Sequence, residues 1–346
     1  MASGRKPLPA LLLEPETPVD LEEYDASCVF LDLHVQKVDE GRRADVWLRT
    51  RLPQLSRSQI VRLIRERRVG SLQRPLKPST TLQAGEVLRL RRPGLVPDSP
   101  PPPLPDVLYE DDRLLALNKP AGLLVHPAGP SFVWSLIAVA RRNRPGVELH
   151  LGHRLDRDTS GVVVMGKDAE ANRHLKKAFR EQRVKKSYLA ICRGEPSWQT
   201  YHHQGAIGDD TTSEIRIKMG VVPDGSSAST EFTVEEVLDG GALVSCRLHT
   251  GRTHQIRVHL DDLGHPLIGD RIYGQPDSTF LHIFAEGFDD WALERVALPR
   301  HALHAKELVL PHPDDDRPTR ILAPLADDLK TIVQSGRVPS PPGETR

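Results

Sequence analysis

Cysteine is scarce: Cys28, Cys192 and Cys246 are the only three in 346 residues. Odd in number, widely spaced and outside any CxxC pattern, they argue against a disulfide framework and a thiolate zinc site. Such usage fits a reducing compartment. No apolar run approaches the length of a membrane span. LPALLLEP near the start is too short, and too soon followed by acids, for a secretory leader. The expectation is a cytoplasmic protein with no membrane partner. A GxSxG turn and a Gly-rich nucleotide loop are also missing, which removes the usual signatures of a serine hydrolase and a nucleotide cofactor. Net charge is zero, 47 Lys/Arg against 47 Asp/Glu.

The zero conceals a strong asymmetry. Residues 1–40 carry nine acids against three Lys/Arg, whereas residues 42–92 carry fourteen Lys/Arg against three acids. A basic block with so few acids to screen it suggests a polyanion partner. Within it, SRSQIVRLIRERRVG reads as a helix. Ser56 and Gln59 have capping-box spacing, Ile60, Leu63 and Ile64 form one apolar stripe, and Gly70 is the expected stop. VLRLRRP alternates as a strand does.

Composition divides the chain into an acidic arm (1–33), the basic module (34–92), a Pro-rich linker (93–106), a second domain (107–330) and a disordered tail (331–346). In the second domain LLALNKPAGLLVHP suggests an apolar hairpin turning at residues 119–122. GVVVM, SYLAICRG and GALVSCRL suggest strands, and Asp168 suits the cap of a helix bearing Ala171, Leu175 and Phe179 on one face. Strands and helices mix without a βαβ rhythm, so the expected class is α+β, with a mixed sheet and flanking helices.

LGHRLDRDTSGVVVMGKD, residues 151–168, places Asp156 between Arg154 and Arg157 just before the apolar run. Neighbouring guanidinium groups would hold such a carboxylate ionised, ready to act as nucleophile or base. A surface ion-pair loop capping a strand is what HRLD alone favours. A second stretch, HTGRTHQIRVHL, gathers His249, Arg252, His254, Arg257 and His259 at a turn entering a helix. Arg252 and Thr253 lie where backbone N–H groups suit an anion, and Arg257 follows His254 by three residues toward the same side. VKKSYLAI sets Tyr188 on a strand, available for stacking and proton transfer or simply for the core.

Together these stretches resemble the RluA-type family of RNA pseudouridine synthases. GHRLDRDTSGVVVMGK is similar to the motif around its catalytic aspartate, LLALNKPAGLLVHP to its opening motif and KKSYLAI to the one carrying its tyrosine. LHTGRTHQIRVHL with GHPLIGDRIYG resembles the arginine motif, and ALHAKELVLPHP the closing one. RADVWLRTRLPQLSRSQIVRLIRERRV, residues 43–69, is similar to an S4 RNA-binding domain. The resemblance implies a pseudouridine synthase fold with a mainly antiparallel sheet plus a small S4-like α/β domain. It implies an isomerase that turns a uracil from an N- to a C-glycoside, needing neither cofactor nor metal.

Asp156 would be the essential carboxylate, whether it attacks the ribose or takes a proton. Arg257 would pair with it, Tyr188 would stack on the base, and Arg154 and Arg252 would meet the RNA. Arg57, Arg62, Arg65, Arg67 and Arg68 would hold its backbone. Large-subunit ribosomal RNA is the expected substrate, transfer RNA the alternative, and the expected state a monomer. A distant rival is a metal-dependent RNA phosphoesterase using His150, His153, Asp156 and Asp158, although Arg154 and Arg157 would repel a dication. A non-enzymatic RNA-binding protein ranks well below the isomerase, since the aspartate, tyrosine and arginine are all present.

Overall fold

A computed structural model describes residues 28–52, 55–93, 100–126 and 134–339. They fall into two compact units divided between Ser99 and Pro100. The first contains β1 (Cys28–His34), α1 (Ala44–Arg51), α2 (Arg57–Arg65), β2 (Val69–Ser71) and β3 (Val87–Pro93). Its sheet is antiparallel in the order β1-β3-β2. Trp47, Leu48, Ile60, Leu63, Ile64, Leu88 and Leu90 fill the core, so the helical stripe and the alternation in β3 face each other.

The expected arm boundary shifts, because residues 28–33 belong to a paired strand; residues 1–27 lie outside the described part. The capping box at Ser56 and Gln59 is present. Gly70 does not stop α2. The N–H groups of Arg67 and Arg68 return to the carbonyls of Ile64 and Leu63, with Arg67 left-handed at φ 54°, and Gly70 lies in β2. That is a Schellman ending with arginine in the place glycine usually takes.

The second unit runs β4 (Val107–Glu110), β5 (Leu114–Lys119), α3 (Leu136–Arg142), β6 (His150–Leu151), β7 (Ser160–Gly166), α4 (Ala169–Arg180), β8 (Lys185–Arg193), β9 (Thr200–His203), β10 (Ile207–Asp209), β11 (Met219–Val221), β12 (Thr230–Leu238), β13 (Gly241–Leu248), α5 (Gln255–Asp262), α6 (Asp277–Glu286), α7 (Asp290–Val296), β14 (Leu303–Pro311), β15 (Pro318–Leu322) and α8 (Asp327–Ser335). A ten-stranded sheet is ordered β4-β5-β7-β14-β8-β13-β12-β9, with β15 on β14 and β6 on β7. Only β7–β14 is parallel among these pairs, so the mixed, mainly antiparallel α+β class holds.

β7 is buried from end to end because both its faces are covered. Val163 and Met165 join a core that includes Leu136, Ile137, Ile256 and Leu260. Val162 and Val164 join another with Leu175 and Ala178 of α4, whose N-terminus Asp168 caps. Gly161 has φ +111°, and a Cβ there would stand 2.2 Å from the Ala305 carbonyl oxygen. Only glycine allows β14 to approach the start of β7 so closely.

The expected hairpin after Lys119 is absent: β5 pairs with β4 and β7, while Leu124 makes an isolated bridge to Ser135. Two domain limits also move. Leu104 of the linker packs on the main core. α8 runs through residues 331–335, and Val338 is buried beside Asp239, so the tail begins later; residues 340–346 lie outside the described part.

Candidate active site

The loop from β6 to β7 delivers Asp156 to the N-terminal end of a buried strand. Across from it, α5 presents Arg257, which is almost fully buried. Arg257 Nη1 donates to Asp156 Oδ2 at 3.1 Å. Its Nε and Nη2 donate to the two oxygens of Asp270 at 2.6 and 2.8 Å. Asp270 Oδ1 also accepts the backbone N–H groups of Ile272 and Tyr273, at 2.9 and 3.2 Å. The ring of Tyr273 lies 5.0 Å from the guanidinium carbon. Arg257 is thus clamped by a fully buried carboxylate, and its Nη1 is turned to Asp156, whose side chain is 26% exposed.

Burial raises the Asp156 pKa, but His254, Arg257 and His301 beside it, with the Arg257 hydrogen bond, outweigh burial and hold the carboxyl below its ordinary value. Burial itself pulls His254 to about 4 and His301 to about 3. Both rings are therefore neutral near pH 7, and Arg257 is the cation that keeps Asp156 charged. The expected holders do not serve. Arg157 turns to Asp158 at 3.1 Å, and Arg154 is exposed and makes no ion pair among the described residues. Sequence neighbours leave the loop in different directions; the effective partner comes from 101 residues away.

Residues 113–262 match the family described as RNA pseudouridylate synthase. A ribosomal large subunit pseudouridine synthase C of Vibrio vulnificus is 34% identical over 324 residues, 88% of this chain and 97% of the relative. A synthase C of Escherichia coli is 36% identical over 313 residues, 86% of this chain and 94% of the relative. A synthase D of Xylella fastidiosa is 36% identical over 311 residues, 86% and 89%. The chain belongs to the RNA pseudouridylate synthase family. Its members isomerise uridine to pseudouridine. Two solved structures agree, human RNA pseudouridylate synthase domain containing 1 and 4, at 25% and 26% identity and TM-score 0.51 each. They cover 70% and 68% of this synthase, and 100% and 94% of their own chains.

Around the carboxylate of this synthase, Tyr188 sits on β8 between Cys246 of β13 and Ala305 of β14. Burial, reinforced by the charge of Asp156, raises its hydroxyl well above the ordinary range, so it stays protonated. Arg252 is exposed, but its backbone N–H donates to Gln255 Oε1 at 2.9 Å and its Nε to the Ser227 carbonyl at 3.0 Å. The anticipated anion site at that N–H is already occupied by the side chain of Gln255. His153 accepts the N–H of Val164 and stacks on Phe179, fastening the loop to β7. His150 turns to Glu148 and Asp158 to Arg157, so the four donors of the metal reading do not converge. Among the described residues no His/Cys/Asp/Glu group is arranged for a metal ion.

In the first unit Arg57, Arg62 and Arg65 line one cleft of about 700 Å³ together with Arg43. Buried Asp45 accepts from both Arg43 and Arg57, aiming two half-exposed guanidinium groups into it. Arg67 and Arg68 do not line this cleft.

Sequence reasoning missed Asp270 and Tyr273 as site residues and singled out His254 without giving it a role. GDRIYG held the signal: an acid between a glycine at φ +73° and two outward N–H groups. Lys119 opens the segment expected to turn as a hairpin. It is fully buried, and Nζ donates to the carbonyls of Pro120, Leu123 and Arg157 at 2.8, 2.7 and 2.8 Å. Burial drags it down to about 7. An ammonium has three protons for these three acceptors, whereas a neutral amine has two, so the geometry favours the charged form. Lys119→Met should cost about 3–5 kcal/mol of unfolding free energy in denaturant titrations, because three acceptors lose their donor. A loss below 1 kcal/mol would contradict that role.

Proposed function

We propose that this synthase isomerises uridine in large-subunit ribosomal RNA, in the cytoplasm, with Asp156 as the reacting carboxylate. The observation that carries the reading is the Asp156–Arg257–Asp270 chain, which supplies an ionised, oriented oxygen pair open on one side. Both candidate openings of the reaction, attack on the ribose and removal of a proton from it, start from that state. Tyr188, protonated and beside the carboxylate, is the ring against which the uracil stacks and the hydroxyl that passes a proton as the base turns. Arg154, exposed and without an ion pair among the described residues, meets the RNA backbone. The names of the Vibrio, Escherichia and Xylella relatives support the ribosomal substrate over transfer RNA.

A uridine inside folded RNA must leave its stack to reach Asp156, at a cost of roughly a few kcal/mol. Phosphate contacts offset part of this, and the Arg43, Arg57, Arg62 and Arg65 cleft of the S4-like unit is their proposed source. Replacing Arg62 and Arg65 by alanine should weaken RNA binding and lower the slope of log K against log salt by roughly two. Turnover at saturating RNA should stay within about twofold, since K rather than the chemical barrier changes. An unchanged salt slope would exclude these arginines from the interface.

The function is tested by mapping pseudouridine in total RNA from cells with and without the gene. Specific positions in large-subunit ribosomal RNA should revert to uridine. Loss confined to transfer RNA would overturn the substrate, and loss nowhere would overturn the activity.

A further inference from the structure

If Asp156 is the reacting carboxylate, as proposed above, the hydrogens around it can be assigned one by one. The backbone N–H of Met219 donates to the phenolic oxygen of buried Tyr273 at 3.0 Å. The phenolic hydrogen must then point elsewhere. Among the described residues the partner placed to accept it is His254 Nδ1, at 2.9 Å. His254 is neutral, so a ring that accepts at Nδ1 carries its hydrogen on Nε2. Nε2 lies 3.8 Å from Asp156 Oδ2, the same oxygen that Arg257 Nη1 meets at 3.1 Å. No donor among the described residues reaches Oδ1.

We infer that His254 and Tyr273 are positioning residues: Tyr273 fixes the histidine as its Nε2–H tautomer, and that N–H joins Arg257 in committing Oδ2 to the protein. Oδ1 is then the oxygen presented to the nucleoside. The opposite tautomer would aim a lone pair at a carboxylate and push it away. The separation of 3.8 Å is longer than a hydrogen bond, as catalytic contacts commonly are before substrate tightens them. Backbone conformation adds an independent sign. His254 is left-handed at φ 58°, ψ 16°, a state uncommon outside glycine that histidine adopts more readily than most residues. That conformation places the ring against Tyr273 at 2.9 Å on one side and 3.8 Å from Asp156 on the other.

The test combines nuclear magnetic resonance and single-turnover kinetics on the full chain. With nitrogen-15-labelled histidine, the His254 signals are identified by their loss in His254→Asn, a residue that tolerates the left-handed backbone. The wild-type protein should show hydrogen on Nε2 and a hydrogen-bonded lone pair on Nδ1. Tyr273→Phe should yield a tautomer mixture. Both variants should lose about 10–100-fold in turnover while RNA affinity stays within about twofold, because the aim of the carboxylate changes and the RNA contacts do not. His254→Gln, whose amide reaches about as far as Nε2, should recover part of the loss. Hydrogen found on Nδ1, wild-type turnover by both variants, or a loss confined to affinity would each overturn the inference. Turnover by Asp156→Asn would instead overturn the reading of Asp156 on which it rests.

Discussion

Asp156→Asn should lower pseudouridine formation at least about 10⁴-fold while leaving RNA affinity and stability close to wild type. The side chain keeps its shape, and its remaining oxygen can still accept from Arg257 Nη1. What disappears is the charge that either opening of the reaction requires. The carboxylate is 26% exposed, so the neutral amide also finds water and leaves no buried group stranded. A single-turnover assay on ribosomal RNA fragments, with a binding isotherm alongside, separates the two effects. Activity within about tenfold of wild type would remove Asp156 from the chemistry.

Asp270→Asn is expected to damage both stability and rate, because Asp270 is the fixed end of the chain. Its carboxylate is fully buried, and two of the three observed Arg257 donors depend on it. An amide offers one acceptor and turns N–H against N–H at the other contact. The buried guanidinium is then undercompensated, which costs about 3–5 kcal/mol. Burial raises the Asp270 pKa, but Arg257, at close range and doubly hydrogen-bonded, drives it far below the ordinary carboxylate range. A depressed folded-state pKa means the pair contributes fully above the unfolded value, about 3.9, and is lost as pH falls through the folded one. The stability gap between wild type and Asp270→Asn should therefore be constant from neutral pH down to about 5 and narrow only below about 4. Turnover should fall about 100-fold, since a loosened Arg257 no longer aims Asp156. A gap that closes already between pH 7 and 5 would show that Asp270 is not the ionised anchor.

Local chemistry was legible where it depends on neighbours in sequence. Ser56 and Gln59 close a capping box, Asp168 caps α4, and the apolar run before Gly166 is a strand. The mixture of strands and helices without a βαβ rhythm gave the α+β class. Features set by distant contacts were not. Arg154 and Arg157 flank Asp156 in the chain, yet neither pairs with it; direction depends on how the loop lies on β7 and α5. Asp270 carries no local mark of its pairing with Arg257 until two N–H groups and a guanidinium converge on it. Leu123 to Val125 look like half of a hairpin, but Lys119 gathers the carbonyls of Pro120, Leu123 and Arg157 instead. α2 ends at an arginine in the left-handed state because the Schellman bonds outweigh the preference for glycine there.

The pairing of Asp156 with Arg257 was implied by resemblance to a family, and the spacing of residues within one sequence would not have joined positions 101 apart. Once joined, they make one physical claim: a neutral-pH carboxylate, held charged by a single anchored cation, faces the nucleoside. The direct measurement is a carbon-13 titration of the aspartate carboxyls, with the Asp156 signal identified by its loss in Asp156→Asn. Asp156 should titrate below the ordinary aspartate value in the wild-type protein and shift upward in Arg257→Gln. An Asp156 that titrates at or above that value, or that ignores the loss of Arg257, would contradict the account.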